Sequence, residues 1–124
     1  MKKIIHSEKA PKAIGPYSQA VEANGTLYIS GQLPINPATG TIPEGITAQT
    51  EQVMQNIAAI LNEAGYNFEN VVKSTCLLSD IANFKAMNEV YAKYYQKDCP
   101  ARAAFAVKDL PMAVLVEIET IAVK

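Results

Sequence analysis

Apolar positions recur along this chain with two periods, and the switches between them mark out its elements. Lys2 to Ser7 reads as a short first strand, followed by a loop from Ala10 to Pro16 broken by Pro11, Gly15 and Pro16. Tyr17 to Ala23 and Thr26 to Gln32 read as two strands joined at Asn24-Gly25. That dipeptide predicts a tight hairpin, because a type I′ turn needs positive φ at both central residues. Pro34, Pro37, Gly40, Pro43 and Gly45 then keep Leu33 to Gly45 irregular. The helical period takes over from Thr47 to Ala64, where Val53, Ile57, Ile60, Leu61 and Ala64 share one stripe. Thr47 is the expected N-cap, Glu51 sits early in the helix, and Gly65 is placed to end it. Val71 to Leu78 reads as a strand inside the sheet. A second helix is expected behind Asp80 as N-cap, with Phe84, Met87, Tyr91, Tyr94 and Tyr95 on its apolar face and Cys99-Pro100 past its end. Ala101 to Val107 and Leu115 to Val123 complete the strands.

These elements predict an α+β layer of about six strands and two helices. Helices about 10 Å wide cover only one face of a sheet whose strands lie about 4.8 Å apart. In the last strand Val116, Ile118, Thr120 and Ala122 share one side, and Leu115, Glu117, Glu119, Ile121 and Val123 the other. Both sides are substantially apolar, so the helix-free face predicts self-association, with ligand sites where subunits meet.

Composition narrows the function classes. The chain has 124 residues, 49% of them hydrophobic, which suits one ordered domain. Its net charge of -1 and scattered basic residues give no footprint for nucleic acid or an anionic membrane. The apolar stretch after Lys2-Lys3 is too short for a signal peptide or a span, and a cytoplasmic location is expected. Cys76 and Cys99 fit reduced thiols, although one disulfide is possible in principle. With a single histidine, His6, they cannot build a standard structural zinc site within one chain.

Arg102 interrupts a strand of small and apolar residues. Its planar fork either grips a ligand carboxylate or pairs internally with Glu117 or Glu119. Those two glutamates share the strand face assigned to the subunit interface, and a carboxylate in apolar surroundings can move protons near neutral pH; otherwise both are rim residues paired with lysines. Asn88 lies on the second helix's apolar stripe and either bridges backbone or holds a loop or ligand. Tyr17 is either a pocket wall or a core aromatic. Ser30-Gly31 marks either close backbone approach to a ligand or a β-bulge. There is no phosphate loop, no GxGxxG and no serine–histidine triad.

The blocks Ala13-Ile14-Gly15-Pro16-Tyr17-Ser18-Gln19-Ala20, Ile29-Ser30-Gly31-Gln32-Leu33-Pro34, Pro100-Ala101-Arg102, Leu110-Pro111 and Val116-Glu117-Ile118-Glu119 together resemble the RidA (YjgF) family. The resemblance runs from near Ile5 to the C-terminus, and the order and spacing of the blocks carry it. It implies a chorismate-mutase-like two-layer fold, a homotrimer with clefts between subunits, and no cofactor. The implied activity is that of a 2-iminobutanoate/2-iminopropanoate deaminase. By resemblance Arg102 anchors the substrate carboxylate and Glu117 activates water or shuttles a proton. Tyr17, Ser30, Gly31, Asn88 and the backbone at Ala104 match substrate-binding positions, whereas Glu119 takes no catalytic role. Many archetypal members carry a cysteine where this chain has Ala104, which bears on the size preference of the pocket more than on the reaction. Competing readings are a trimer that binds small carboxylates without turnover, a regulatory partner of another protein, and a ribonuclease. The near-neutral charge and the absence of an aromatic-basic surface signal argue against the last.

Overall fold

A computed structural model describes all residues, 1–124. Six strands form one mixed sheet: β1 (Lys3–Ile5), β2 (Ala20–Ala23), β3 (Thr26–Gln32), β4 (Val71–Leu78), β5 (Ala101–Ala106) and β6 (Val116–Val123). Their order is β1-β2-β3-β6-β4-β5. Only the β4–β5 pair is parallel, and its crossover carries the second helix, α2 (Phe84–Tyr91). The first helix, α1 (Ile46–Ala64), connects β3 to β4. This is the α+β, two-layer architecture expected from the pattern. No helix is long and apolar enough to cross a membrane.

The hairpin forms as predicted, with Asn24 at φ 51° and Gly25 at φ 76°. In α1 the stripe of Val53, Ile57, Ile60 and Leu61 is fully buried, and Gly65 at φ 80° closes the helix in the left-handed region. On β6, Val116, Ile118, Thr120 and Ala122 lie under the helices, while Glu119 and Val123 are exposed on the other face. That second face also exposes Tyr28 and Phe105. The alternation read from the sequence therefore assigns the two faces correctly.

Local expectations fail where tertiary contacts compete. The first helix begins at Ile46, so Thr47 is inside it and Gly45 at φ 87° occupies the cap with no side-chain hydrogen bond. Glu51 lies beyond the first turn and accepts the Tyr94 hydroxyl instead, tying α1 to the segment after α2. Asp80 does cap, but it caps a 3-10 turn (Ile81–Asn83) through the Ala82 N–H at 2.9 Å. The α-helix behind that turn has only eight residues, so Tyr94, in the turn that follows, and Tyr95, just past it, lie outside the helix. β2 starts at Ala20, leaving Tyr17 and Ser18 in a loop.

Candidate active site

Gly31 and Glu117 define the first cleft. Between Ile29 and Gln32, β3 carries one residue more than β6, which pairs Thr120 and Ile118 with those two positions. This bulge lets Ile29 and Gln32 both point into the core, and it leaves Ser30-Gly31 at the surface of the helix-free face. A Cβ on Gly31 would lie 2.0 Å from Glu117 Oε2 and 2.9 Å from its Cδ, so the glycine is what admits the carboxylate. The bulge reading of Ser30-Gly31 holds, and the group that approaches the glycine within this chain is Glu117 itself. Around the carboxylate, Ile14, Tyr17, Ser30, Leu33, Pro111 and Glu119 enclose a cleft of about 470 Å³. Burial pushes the Glu117 carboxyl above the usual carboxylate range, and the neighbouring Glu119 charge adds to it.

Three buried amides pin the loops of the chain, and one of them holds Leu33 at the cleft wall. Gln19 accepts the Ser7 N–H at 2.6 Å and donates to the carbonyls of Ser7, Ala10 and Pro11. Asn56 donates to Leu33 O and Ile35 O, both at 3.0 Å. Gln49 donates to Pro43 O and accepts the Leu115 N–H at 2.8 Å. The Ser30 hydroxyl donates to Ser18 O at 2.6 Å, which pins the Tyr17 loop to the bulge. Sequence reasoning passed over Gln49 and Asn56. The available signal was an amide at helical spacing from Val53 and Ile60, on the buried stripe.

Arg102 lies elsewhere. In the β5–β4–β6 register Leu77 pairs with both Phe105 and Glu117, which puts Glu117 on the Phe105 face. Arg102 alternates onto the opposite, helix-bearing face, beside Ser74. The internal Arg102–Glu117 and Arg102–Glu119 pairs are thereby excluded within one chain. Instead the guanidinium donates from Nη1 to Asn88 Oδ1 at 2.6 Å, and its carbon stands 4.8 Å from the Tyr91 ring centroid and 5.6 Å from that of Phe84. The chain's ion pairs are His6–Glu8 and Lys93–Glu51, so no carboxylate neutralises Arg102. With Asn88, Tyr91, Tyr95, Cys99 and Pro100 it borders a second cleft of about 430 Å³ at the β5 edge.

Of the other candidates, Ala104, His6 and Cys76 line neither cleft, and Cys99 stands at the rim of the second. Ala104 follows Arg102 on the same face, pairs with Cys76 and packs against the core. His6 is exposed against Glu8. Burial lifts the Cys76 thiol to about 11, which keeps it protonated. Cys99 is exposed and points its thiol at Tyr95 O, 3.2 Å away. No group of three or more His, Cys, Asp or Glu side chains converges to hold a metal ion.

The domain thus presents an arginine without an acidic partner at one sheet edge and, on its open face, a half-buried glutamate whose pKa is raised by burial. Residues 7–124 match the family described as Endoribonuclease L-PSP, and the chain belongs to that family, the Rid proteins. A 2-iminobutanoate/2-iminopropanoate deaminase of Capra hircus is 52% identical over 125 residues, covering 100% of this chain and 91% of that protein. A crystal structure from the conserved Rid protein family of Yersinia pestis superposes with a TM-score of 0.95 at 47% identity, covering both chains completely at 100%. Escherichia coli TdcF with bound serine gives a TM-score of 0.95 at 38% identity over 98% of each chain. Relatives at about this similarity thus carry the name of a reactive-intermediate deaminase.

Proposed function

We propose that this chain is an enzyme that hydrolyses 2-imino acids and their enamine tautomers to 2-keto acids and ammonia, and that it does so between the subunits of a homotrimer. The carrying observation is the split of charge. Arg102 has no acidic partner in its own chain, and Glu117 faces away from it across the sheet. One chain alone offers half a site on each face. The exposed Tyr28, Phe105 and Val123 on the helix-free face favour burial against a second copy, which would bring one subunit's Glu117 cleft to another's Arg102 edge.

In this reading Arg102 takes the substrate carboxylate in a bidentate grip, with Asn88 and the Tyr91 ring fixing the fork. Glu117 removes a proton from water, and the oxygen adds to the C=N carbon to form a carbinolamine. The same carboxyl gives that proton to the amine nitrogen and, again a carboxylate, takes the carbinolamine hydroxyl proton as the C=O bond forms and the C–N bond breaks, so that ammonia leaves with the 2-keto acid behind. An imine is already electrophilic, so positioning and proton transfer supply the rate gain without a cofactor. Tyr17, Ser30 and Gly31 shape the side of the cleft where the reacting carbon would lie, and the Ala104 backbone supports Arg102 from within β5. The near-neutral net charge of -1 supports a small-molecule substrate over nucleic acid, and a cytoplasmic setting is part of the same proposal.

Serine bound to the Escherichia coli relative favours a second reading, a trimer that holds small carboxylates without turnover. A coupled assay separates the two. Threonine dehydratase generates 2-iminobutanoate while semicarbazide traps what remains, and the wild type is compared with Arg102→Ala and Glu117→Gln. Suppressed trapping by the wild type alone, with all three proteins trimeric, supports the deaminase. Retained keto-acid binding without any suppression replaces it with the binding trimer.

A further inference from the structure

Behind Arg102 lies a group of hydroxyls that the proposed reaction leaves unused. Ser74 on β4 and Thr120 on β6 are cross-strand partners, 0% and 1% exposed, and Ser74 pairs with Arg102 on its other side. The three side chains therefore form one row across β5, β4 and β6, all on the helix-bearing face. Tyr91, at the end of α2, and Tyr95, four residues on, roof this row. Their ring centroids are 4.6 Å apart, and each residue is only 6% exposed. Ser74 Oγ, Thr120 Oγ1, Tyr91 Oη and Tyr95 Oη are all buried, and none makes a well-formed hydrogen bond within the chain, although the Ser74 hydroxyl stands within loose reach of both phenols. Burial pushes both phenols up, and the Ser74 hydroxyl facing them draws each partly back.

Each orphaned hydroxyl sacrifices a substantial share of a small domain's net stability, and a cluster of them is rarely left dry. One water brings two donors and two acceptors, and a buried water typically makes about three hydrogen bonds. Hydroxyls from two strands and the end of a helix converge here with the matching mixture of donors and acceptors. Apart from Arg102, both tyrosines belong to the same buried cluster as Cys76, Met87 and Ile118, each 0% exposed.

We infer that Ser74, Tyr91, Tyr95 and Thr120 form a buried water-binding site, and that the water it holds makes Tyr91 a positioning residue for Arg102. The phenol end of Tyr91 is anchored in the cluster, and its ring face lies 4.8 Å from the guanidinium carbon. Asn88 supplies the other contact that orients the fork. With the hydroxyl tied, the ring cannot swing away from the arginine. Without the tie, only packing holds it.

The kinetic consequence rests on Arg102 binding the substrate carboxylate; the water itself does not. The test is a high-resolution crystal structure of the wild type, together with steady-state kinetics and 2-ketobutyrate binding for Tyr91→Phe. The expected structure has an ordered water within hydrogen-bonding distance of Tyr91 Oη and of Ser74 Oγ or Thr120 Oγ1. The phenylalanine variant lacks that water, and its KM and 2-ketobutyrate Kd rise roughly three- to tenfold with kcat within about twofold. A purely structural role would lower Tm without that split. Thr120→Val, two strands away from Arg102, offers the same comparison should the phenol variant not fold. Four hydroxyls paired directly with one another and no water density would overturn the site. A water present with KM and Kd unchanged in Tyr91→Phe would overturn the positioning role. If Arg102→Ala binds 2-ketobutyrate as well as the wild type, the carboxylate reading of Arg102 fails, while the water site stands or falls on its density.

Discussion

Gly31→Ala separates chemistry from folding more sharply than any change at a charged residue. The new methyl would sit 2.0 Å from Glu117 Oε2, and ordinary contact begins at 3.4 Å, so the carboxylate must retreat by about 1.4 Å. The atoms that yield are the far end of a half-buried side chain facing an open cleft, not backbone. The loss of stability should therefore stay below about 1 kcal/mol, at the low end of overpacking costs, or roughly 4 °C in Tm for a domain of this size. Catalysis is far less tolerant, since misplacing a reacting group by about 1 Å can cost about 100-fold in rate. The expected result is a folded variant of unchanged oligomeric state whose kcat/KM in the dehydratase-coupled assay falls about 100-fold. Thermal unfolding measured beside it gives the stability. Activity within about fivefold of the wild type would refute the assignment of Glu117 as the proton-transfer group. A Tm loss above about 10 °C would refute the claim that the side chain, not the backbone, absorbs the methyl.

Three further outcomes follow from the same geometry. Glu119→Gln removes a charge that raises the Glu117 pKa, so the acidic limb of the kcat/KM–pH profile should move to lower pH, and an unmoved limb would show that Glu119 does not act on Glu117. Because the Glu117 pKa is raised on folding, the native state holds its proton more tightly than the unfolded one, and stability falls as pH rises from the unfolded value through the folded value. Glu117→Gln should therefore flatten that decline in urea-denaturation curves collected from pH 4 to 8, and parallel curves would contradict the raised pKa. Gln19→Leu removes four hydrogen bonds from a residue that is 2% exposed, at a cost of about 2–4 kcal/mol, or roughly 8–16 °C by calorimetry. A shift under about 3 °C would mean that the 7–11 loop does not depend on it.

The sequence alone determined whatever depends on near neighbours along the chain. Asn24-Gly25 specifies its hairpin because few other residue pairs accept positive φ twice. The α1 stripe and its Gly65 stop follow from the 3.6-residue period and the left-handed cap. The alternation along β6 identified the covered and open faces before any strand was placed. Other features depend on which segments meet. The first helix starts one residue ahead of Thr47, behind Gly45 at φ 87°, and Glu51 serves Tyr94 across the fold rather than the helix terminus. The bulge at Ser30-Gly31 depends on pairing with Thr120 and Ile118 at the far end of the chain, and the buried amides Gln19, Gln49 and Asn56 reach partners up to 66 residues away; single-chain periodicity carries no record of such distances. Arg102 and Glu117 were legible as chemistry because charged residues stand out in apolar strands, and the family resemblance supplied their expected roles. That they face opposite sides of one sheet was decided only by register: a shift of one residue in either pairing turns a side chain to the other face.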